Sequence, residues 1–240
     1  MKKYLLIILV LFGTIQIAQS QVLITLLLGD KLNSPNVEFG LEGGINWAQI
    51  SGMETTDYVY KWNLGFYFDI RIKNQWWLYT GVLVKSDMGV NRLSSGDLSY
   101  LDARIYTDSQ TGDTIAGDYS QRMKYFLVPV MIKYKFKNRI YAAAGPQFGL
   151  MHKSWVEFDA SIDDIDVKNK EYNKDLINKI DAGFMLSAGY TFMKSPGVSL
   201  GVKYYQGFVN VYKGKSGTHN RSFFITATIP IGAGEKSKDK

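Results

Sequence analysis

Eight charged residues stand at positions where a run of alternating side chains turns its second face: Glu38, Glu42, Asp69, Arg71, Lys133, Lys135, Asp181 and Lys203. Most lie between apolar neighbours, as in Phe68-Asp69-Ile70 and Ile132-Lys133-Tyr134. A charge enclosed on such a face must be paired or neutralised. The chemistry these residues predict is a salt-bridge network that holds an interior shut, and the sharper alternative is a gated narrow pore.

Two other groupings are weaker. His152 and His219 are the only histidines, and with Ser154, Asp159 and Ser222 near them in sequence a Ser/His/Asp hydrolase or acyltransferase can be drawn on paper. No nucleophile elbow or fixed spacing supports it, so solvated rim histidines are the better reading. Asp163, Asp164 and Asp166 offer oxygen ligands to a hard divalent cation, yet their spacing is not that of an EF-hand. A solvated acidic loop fits them better. No catalytic residue, metal site or cofactor is assigned.

The elements that must position the charges are strands. From Gln121 to Lys153, Phe126, Val128, Val130, Ile132, Tyr134 and Phe136 alternate with Tyr125, Leu127, Pro129, Met131, Lys133 and Lys135. After Lys137-Asn138-Arg139 the alternation resumes through Ile140 to Leu150. A period of two held this long predicts strands of about 9 to 11 residues, enough to cross a bilayer's hydrocarbon at a tilt. The same pattern places strands at Val37–Ile50, Trp62–Ile72, Trp76–Lys85, Ile180–Phe192, Val198–Tyr205 and Phe223–Ile231. In Trp76–Lys85 both faces are apolar and the register stays open. Asp87–Ser120 and Ser154–Asn178 read as long polar loops, the first with a strand extension around Leu101–Tyr106.

Connections are long after the first, third, fifth and seventh strands and short after the second, fourth and sixth. The second face is mostly Gly, Ala, Ser, Thr and Asn, which suits a narrow polar lumen better than a soluble surface rich in Lys and Glu. A soluble lipocalin-like barrel with the same period is the competing architecture. The expectation is all-β: an eight-stranded antiparallel transmembrane β-barrel of the outer-membrane type, with short periplasmic turns, long outer loops and both termini in the periplasm.

Residues 1–20 carry Lys2 and Lys3, an apolar run and Ala18-Gln19-Ser20, the pattern of a signal peptide. Residues 21–36, with the apolar run Val22–Leu28, then form a periplasmic segment, 37–231 the barrel and 232–240 a disordered charged tail. There is no Cys, which excludes disulfides and a lipoprotein anchor. The net charge of +6 is scattered and argues against nucleic-acid binding. Aromatics at 14% suit strands and interfacial belts.

The runs YFLVPVMIKYKF, YAAAGPQFGL, DAGFMLSAGY, VSLGVKYYQGFVNV and FFITATIPI resemble the outer-membrane β-barrel family of the Bacteroidota that includes PorT-like proteins. The resemblance spans nearly the whole chain after residue 20. It implies an eight-stranded barrel in the outer membrane with a structural, adhesive or narrow-transport role. Its motifs are architectural, so no catalytic residue carries over. The expected partners are outer-membrane lipid and lipopolysaccharide, and the barrel-insertion machinery. One departure is that the chain runs past Ile231 into a charged tail instead of closing on an aromatic.

Overall fold

The computed structural model describes residues 32–107, 112–162, 165–192 and 197–231. The expected signal peptide, the Val22–Leu28 run, the charged tail, Asp163, Asp164 and most of the turn after residue 192 lie outside them.

Strand β1 (Val37–Ile50) pairs with β2 (Val59–Lys73), which pairs with β3 (Trp76–Val90). The ring continues through β4 (Asp118–Lys135), β5 (Ile140–Ile162), β7 (Ile180–Thr191), β8 (Ser199–Asn210) and β9 (His219–Pro230). β9 pairs back on β1 and closes eight antiparallel strands into a barrel. Paired residues Val37, Ile70, Leu78, Ile132, Ala144, Leu186, Tyr204 and Phe223 lead around the ring to Trp47, ten residues beyond the start on β1. That stagger requires tilted strands, because closure and shear are linked.

The alternation now has a direction. Ile132 and Leu186 are 46% and 51% exposed, whereas their neighbours Lys133 and Met185 are 4% and 1% exposed. The apolar face therefore points out all round, and in β3 it is Trp77, Tyr79, Gly81 and Leu83 that turn inward. At the short-turn end, aromatics pack edge-on along the outer wall. Trp76 lies 4.8 Å from Tyr134, and Tyr190 lies 5.3 Å from Phe192. Asn74 makes the β2–β3 turn with φ +51°, in the left-handed region that asparagine tolerates.

Three expectations are corrected. Ser154–Asn178 is no loop: β5 runs on to Ile162 and returns as β6 (Ile165–Tyr172), which pairs with β5 alone. Its polar residues alternate above the apolar band, where a strand needs no lipid-facing side, so composition disguised it. Asp87–Ser120 contributes Asp87–Val90 to β3 and Asp118–Ser120 to β4, and a helix α1 (Ser95–Leu101) lies between. The helix ends at Leu101, and Asp102 in the left-handed region stops it, so no strand extends from there.

The third correction concerns the interior, which large side chains fill. Tyr67, Tyr125, Tyr205, Phe224, Met123, Met131 and Met185 are all buried there. In the sequence the small residues suit a narrow polar lumen. They are instead the space into which rings fold: a Cβ on Gly40 would strike the Tyr67 ring, and one on Gly189 or Gly201 would strike Tyr141.

Candidate functional site: a filled lumen and an outer flap

At the short-turn end, β1 and β2 set Glu38 directly opposite Asp69. Like charges so placed repel. Lys133 and Lys135, two residues apart on β4, reach across β3 to offset them. Both ammonium groups meet Asp69 Oδ2, at 2.8 and 2.7 Å, and Lys135 also lies 3.8 Å from Glu38. The Tyr67 hydroxyl donates to Glu38 at 2.9 Å. Aromatic faces complete the cradle, with Lys133 over Tyr141 at 4.3 Å and Lys135 over Trp77 at 4.0 Å. A cleft of about 390 Å³ opens here, lined by Glu38, Trp77, Lys133, Lys135 and Tyr141 among others.

One layer further in, Lys203 meets Glu42 at 2.5 Å and donates to the Tyr79 hydroxyl at 2.8 Å. Of the eight charges singled out in the sequence, the structure thus joins six into these two groups. Arg71 is left out: it sits exposed at the rim, donates to Asn74 O at 3.1 Å and lies 5.9 Å from the Trp77 ring. Asp181, at the start of β7, stands at the opposite end of the lumen.

The outer end is shut by uncharged groups that sequence reasoning missed. Gln121, Ser154, Asn173 and Tyr212 form a buried ring of hydrogen bonds. Ser154 donates to Asn173 at 2.7 Å, Asn173 to Gln121 at 2.8 Å, Gln121 to Ser154 at 2.9 Å and Tyr212 to Gln121 at 3.2 Å. Helix α1 lies across the mouth. Its Ser94 cap accepts from Asp97 N, and buried Asp97 accepts from the backbone N–H groups of Glu54 and Thr55, tying the β1–β2 loop to the helix. Leu93, Leu98 and Leu101 are buried beneath. Only the Ser-x-x-Asp spacing of Ser94 and Asp97 signals this in the sequence.

Above the ring, β6 with the extensions of β4 and β5 forms a three-stranded flap. On one face Tyr106 stacks on Phe158 at 4.8 Å, and Tyr119 packs tilted against it at 4.7 Å. On the other, Glu157 accepts from the Trp155 indole at 3.1 Å and sits 3.5 Å from Arg122 and 3.9 Å from both Lys168 and Lys170. Burial pushes the Glu157 carboxyl upward, but the indole N–H and the three cations outweigh it and hold it below the ordinary carboxylate value. Lys168 bonds Asp159 at 2.7 Å, and that contact raises its ammonium above the ordinary lysine value.

The residues of the imagined triad are not assembled. His152 stacks on Phe126 at 4.7 Å, His219 Nδ1 faces Val209 O at 3.2 Å, Ser154 bonds Asn173, and Ser222 donates to Trp47 O. Among the described residues no group of three or more His, Cys, Asp or Glu is placed to hold a metal ion.

A family model described as outer membrane protein beta-barrel domain matches residues 18–213. No curated protein matches the chain. Similar solved structures include Ail of Yersinia pestis in complex with the heparin analogue sucrose octasulfate, 10% identical, covering 82% of this chain and 99% of that one, with a TM-score of 0.40. Neisserial surface protein A is 9% identical over 80% and 96% of the two chains, with a TM-score of 0.40. OprG of Pseudomonas aeruginosa is 9% identical over 81% and 93%, with a TM-score of 0.37.

Proposed function

The chain belongs to the outer membrane protein β-barrel domain family, and from that premise we propose that it is a sealed outer-membrane barrel that acts by what it displays. The observation that carries this reading is the filled interior, with paired charges at one end and the Gln121–Ser154–Asn173–Tyr212 ring at the other. A lumen so occupied suits a structural or adhesive role, with the β4–β5–β6 flap as the displayed element. Both chain ends of the ring lie with the short turns, and we place that end in the periplasm. The outer wall then contacts outer-membrane lipid and lipopolysaccharide, and β9 is the strand offered to the insertion machinery. Kinship with the PorT-like barrels of the Bacteroidota and absence of catalysis belong to the same proposal; the dispersed His152, His219 and Asp159 support the latter.

Narrow transport is the second reading. It draws on the side-chain amides of Asn63 and Gln147, which are buried toward the lumen without hydrogen-bond partners and suit water or a small solute.

The test is conductance of the purified protein in planar bilayers, together with swelling of proteoliposomes in small sugars. A sealed barrel shows neither, and steady conductance overturns the reading in favour of transport. Orientation is tested separately. The chain lacks Cys, so Lys170→Cys in the flap and Lys137→Cys in a short turn can each be exposed to a membrane-impermeant maleimide on intact cells. Labelling of the first alone is expected; labelling of the second alone inverts the barrel.

A further inference from the structure

The charges on the inner face do not balance. Glu38, Glu42, Asp69 and Asp181 face Lys133, Lys135 and Lys203, and the three lysines are all engaged by the first three acids. Asp181 remains, 3% exposed, with no Lys or Arg in ion-pair contact among the described residues. The groups around it are neutral. Asn220 Nδ2 donates to Oδ2 at 2.9 Å and also reaches the Tyr125 hydroxyl at 3.3 Å. The Ala182 backbone N–H and the Tyr205 hydroxyl also face the carboxylate, the hydroxyl without a hydrogen bond of normal geometry. His219 also stands near enough to act on the carboxylate, with its ring Nδ1 turned to Val209 O.

Asp181 Oδ1 and the Tyr205 hydroxyl face each other without a hydrogen bond of normal geometry, and Asn220 Oδ1 has no partner. Asp181 Oδ1 borders the side of Gly207 that carries no side chain, where a Cβ would lie 3.3 Å from it and 2.9 Å from Asn220 O. A buried carboxylate left alone is strongly disfavoured, and each unpaired polar atom adds its own desolvation cost. All the available donors are oxygens, which suit a hard cation. One carboxylate balances one positive charge, whereas divalent sites gather more oxygen ligands and more negative charge.

We infer that the outer half of the lumen is a binding site for a hard monovalent cation of the sodium class, with Asp181 as its charged ligand and Asn220 and Tyr205 as neutral ones. The site does not depend on whether the lumen conducts. It gives the unpaired oxygens a partner and makes the interior neutral.

The experiment compares thermal midpoints of the full refolded chain in detergent at pH 8, in sodium, potassium and choline chloride at equal ionic strength. Sodium chloride is expected to raise the midpoint by about 2–4 °C over choline, which is too large to enter. In Asp181→Asn the salts should become equivalent and the midpoint in choline no lower than the parent's. Tyr205→Phe, which keeps the ring in place, should weaken the sodium response. If Asp181→Asn does not refold, sodium-23 line broadening by the parent protein, lost on adding excess lithium chloride, decides the same point. Equal parent midpoints in sodium and choline overturn the site, as does a sodium response that survives in Asp181→Asn. A midpoint that moves with pH but not with the cation makes the occupant a proton and likewise overturns it.

Discussion

Asp69 and Asp181 are inward carboxylates of one lumen, both almost fully buried, yet their surroundings are opposite. Asp69 receives two ammonium groups on one oxygen, and both come from β4. Asp181 receives an amide and faces tyrosine hydroxyls. The difference teaches that a closed barrel neutralises charge locally, by what the stagger brings alongside, and not by its overall composition. Where the stagger brings no lysine, the carboxylate depends on something from solution.

The largest effect is expected at the inner end. Lys133→Met leaves Asp69 buried beside Glu38 with Lys135 alone, and breaking a buried pair typically costs about 3–5 kcal/mol. Denaturant unfolding followed by heat-modifiable gel mobility reads this, and Asp69→Asn in the same chain should restore much of the loss. A double variant as unstable as Lys133→Met would break the comparison. Next is the lipid face, where Ile132→Arg is expected to cost about 2–4 kcal/mol near the midplane by the same assay. If Ile132→Arg is harmless, Ile132 does not face lipid.

Asp181→Asn sharpens the contrast from the other side. Since it removes a charge without a countercharge, stability in choline should hold or rise, and a loss as large as that of Lys133→Met would mean Asp181 has a partner like Asp69's. Smaller still is the pH response of the flap. Glu157 is held below the ordinary carboxylate value, so its contribution is present above that value and fades as pH falls through the lowered one. Lys168 is raised, so its contribution is present below the ordinary lysine value and fades only as pH climbs through the raised one. Proteolysis of the flap on the intact barrel should therefore quicken in acid and in strong base and stay slow between. Last, Arg71→Ala should leave the unfolding midpoint unchanged, because Arg71 meets no carboxylate among the described residues.

Alternation with period two was enough to read the ring strands and, in all of them but β3, the outward residues. Lipid requires every outward position to be apolar, and that demand is written residue by residue along β2, β4 and β7. The β5–β6 flap escaped because above the bilayer no such demand holds, and its Lys and Asp residues resemble a loop's. Helix α1 escaped because seven residues carry too little periodicity to register. The inward charges were legible as a set, since a lone charge between apolar neighbours is conspicuous, but their partners were not. Lys203 meets Glu42 across 161 residues of sequence, and no local pattern carries such a pairing. Outside β3 and the rim residue Arg71, the sequence by itself determined which side chains turn toward the lumen. Only the tertiary structure decided which of them meet, because strand tilt and the ten-residue stagger set the height of each inward residue, leaving Asp69 beside two lysines and Asp181 with none.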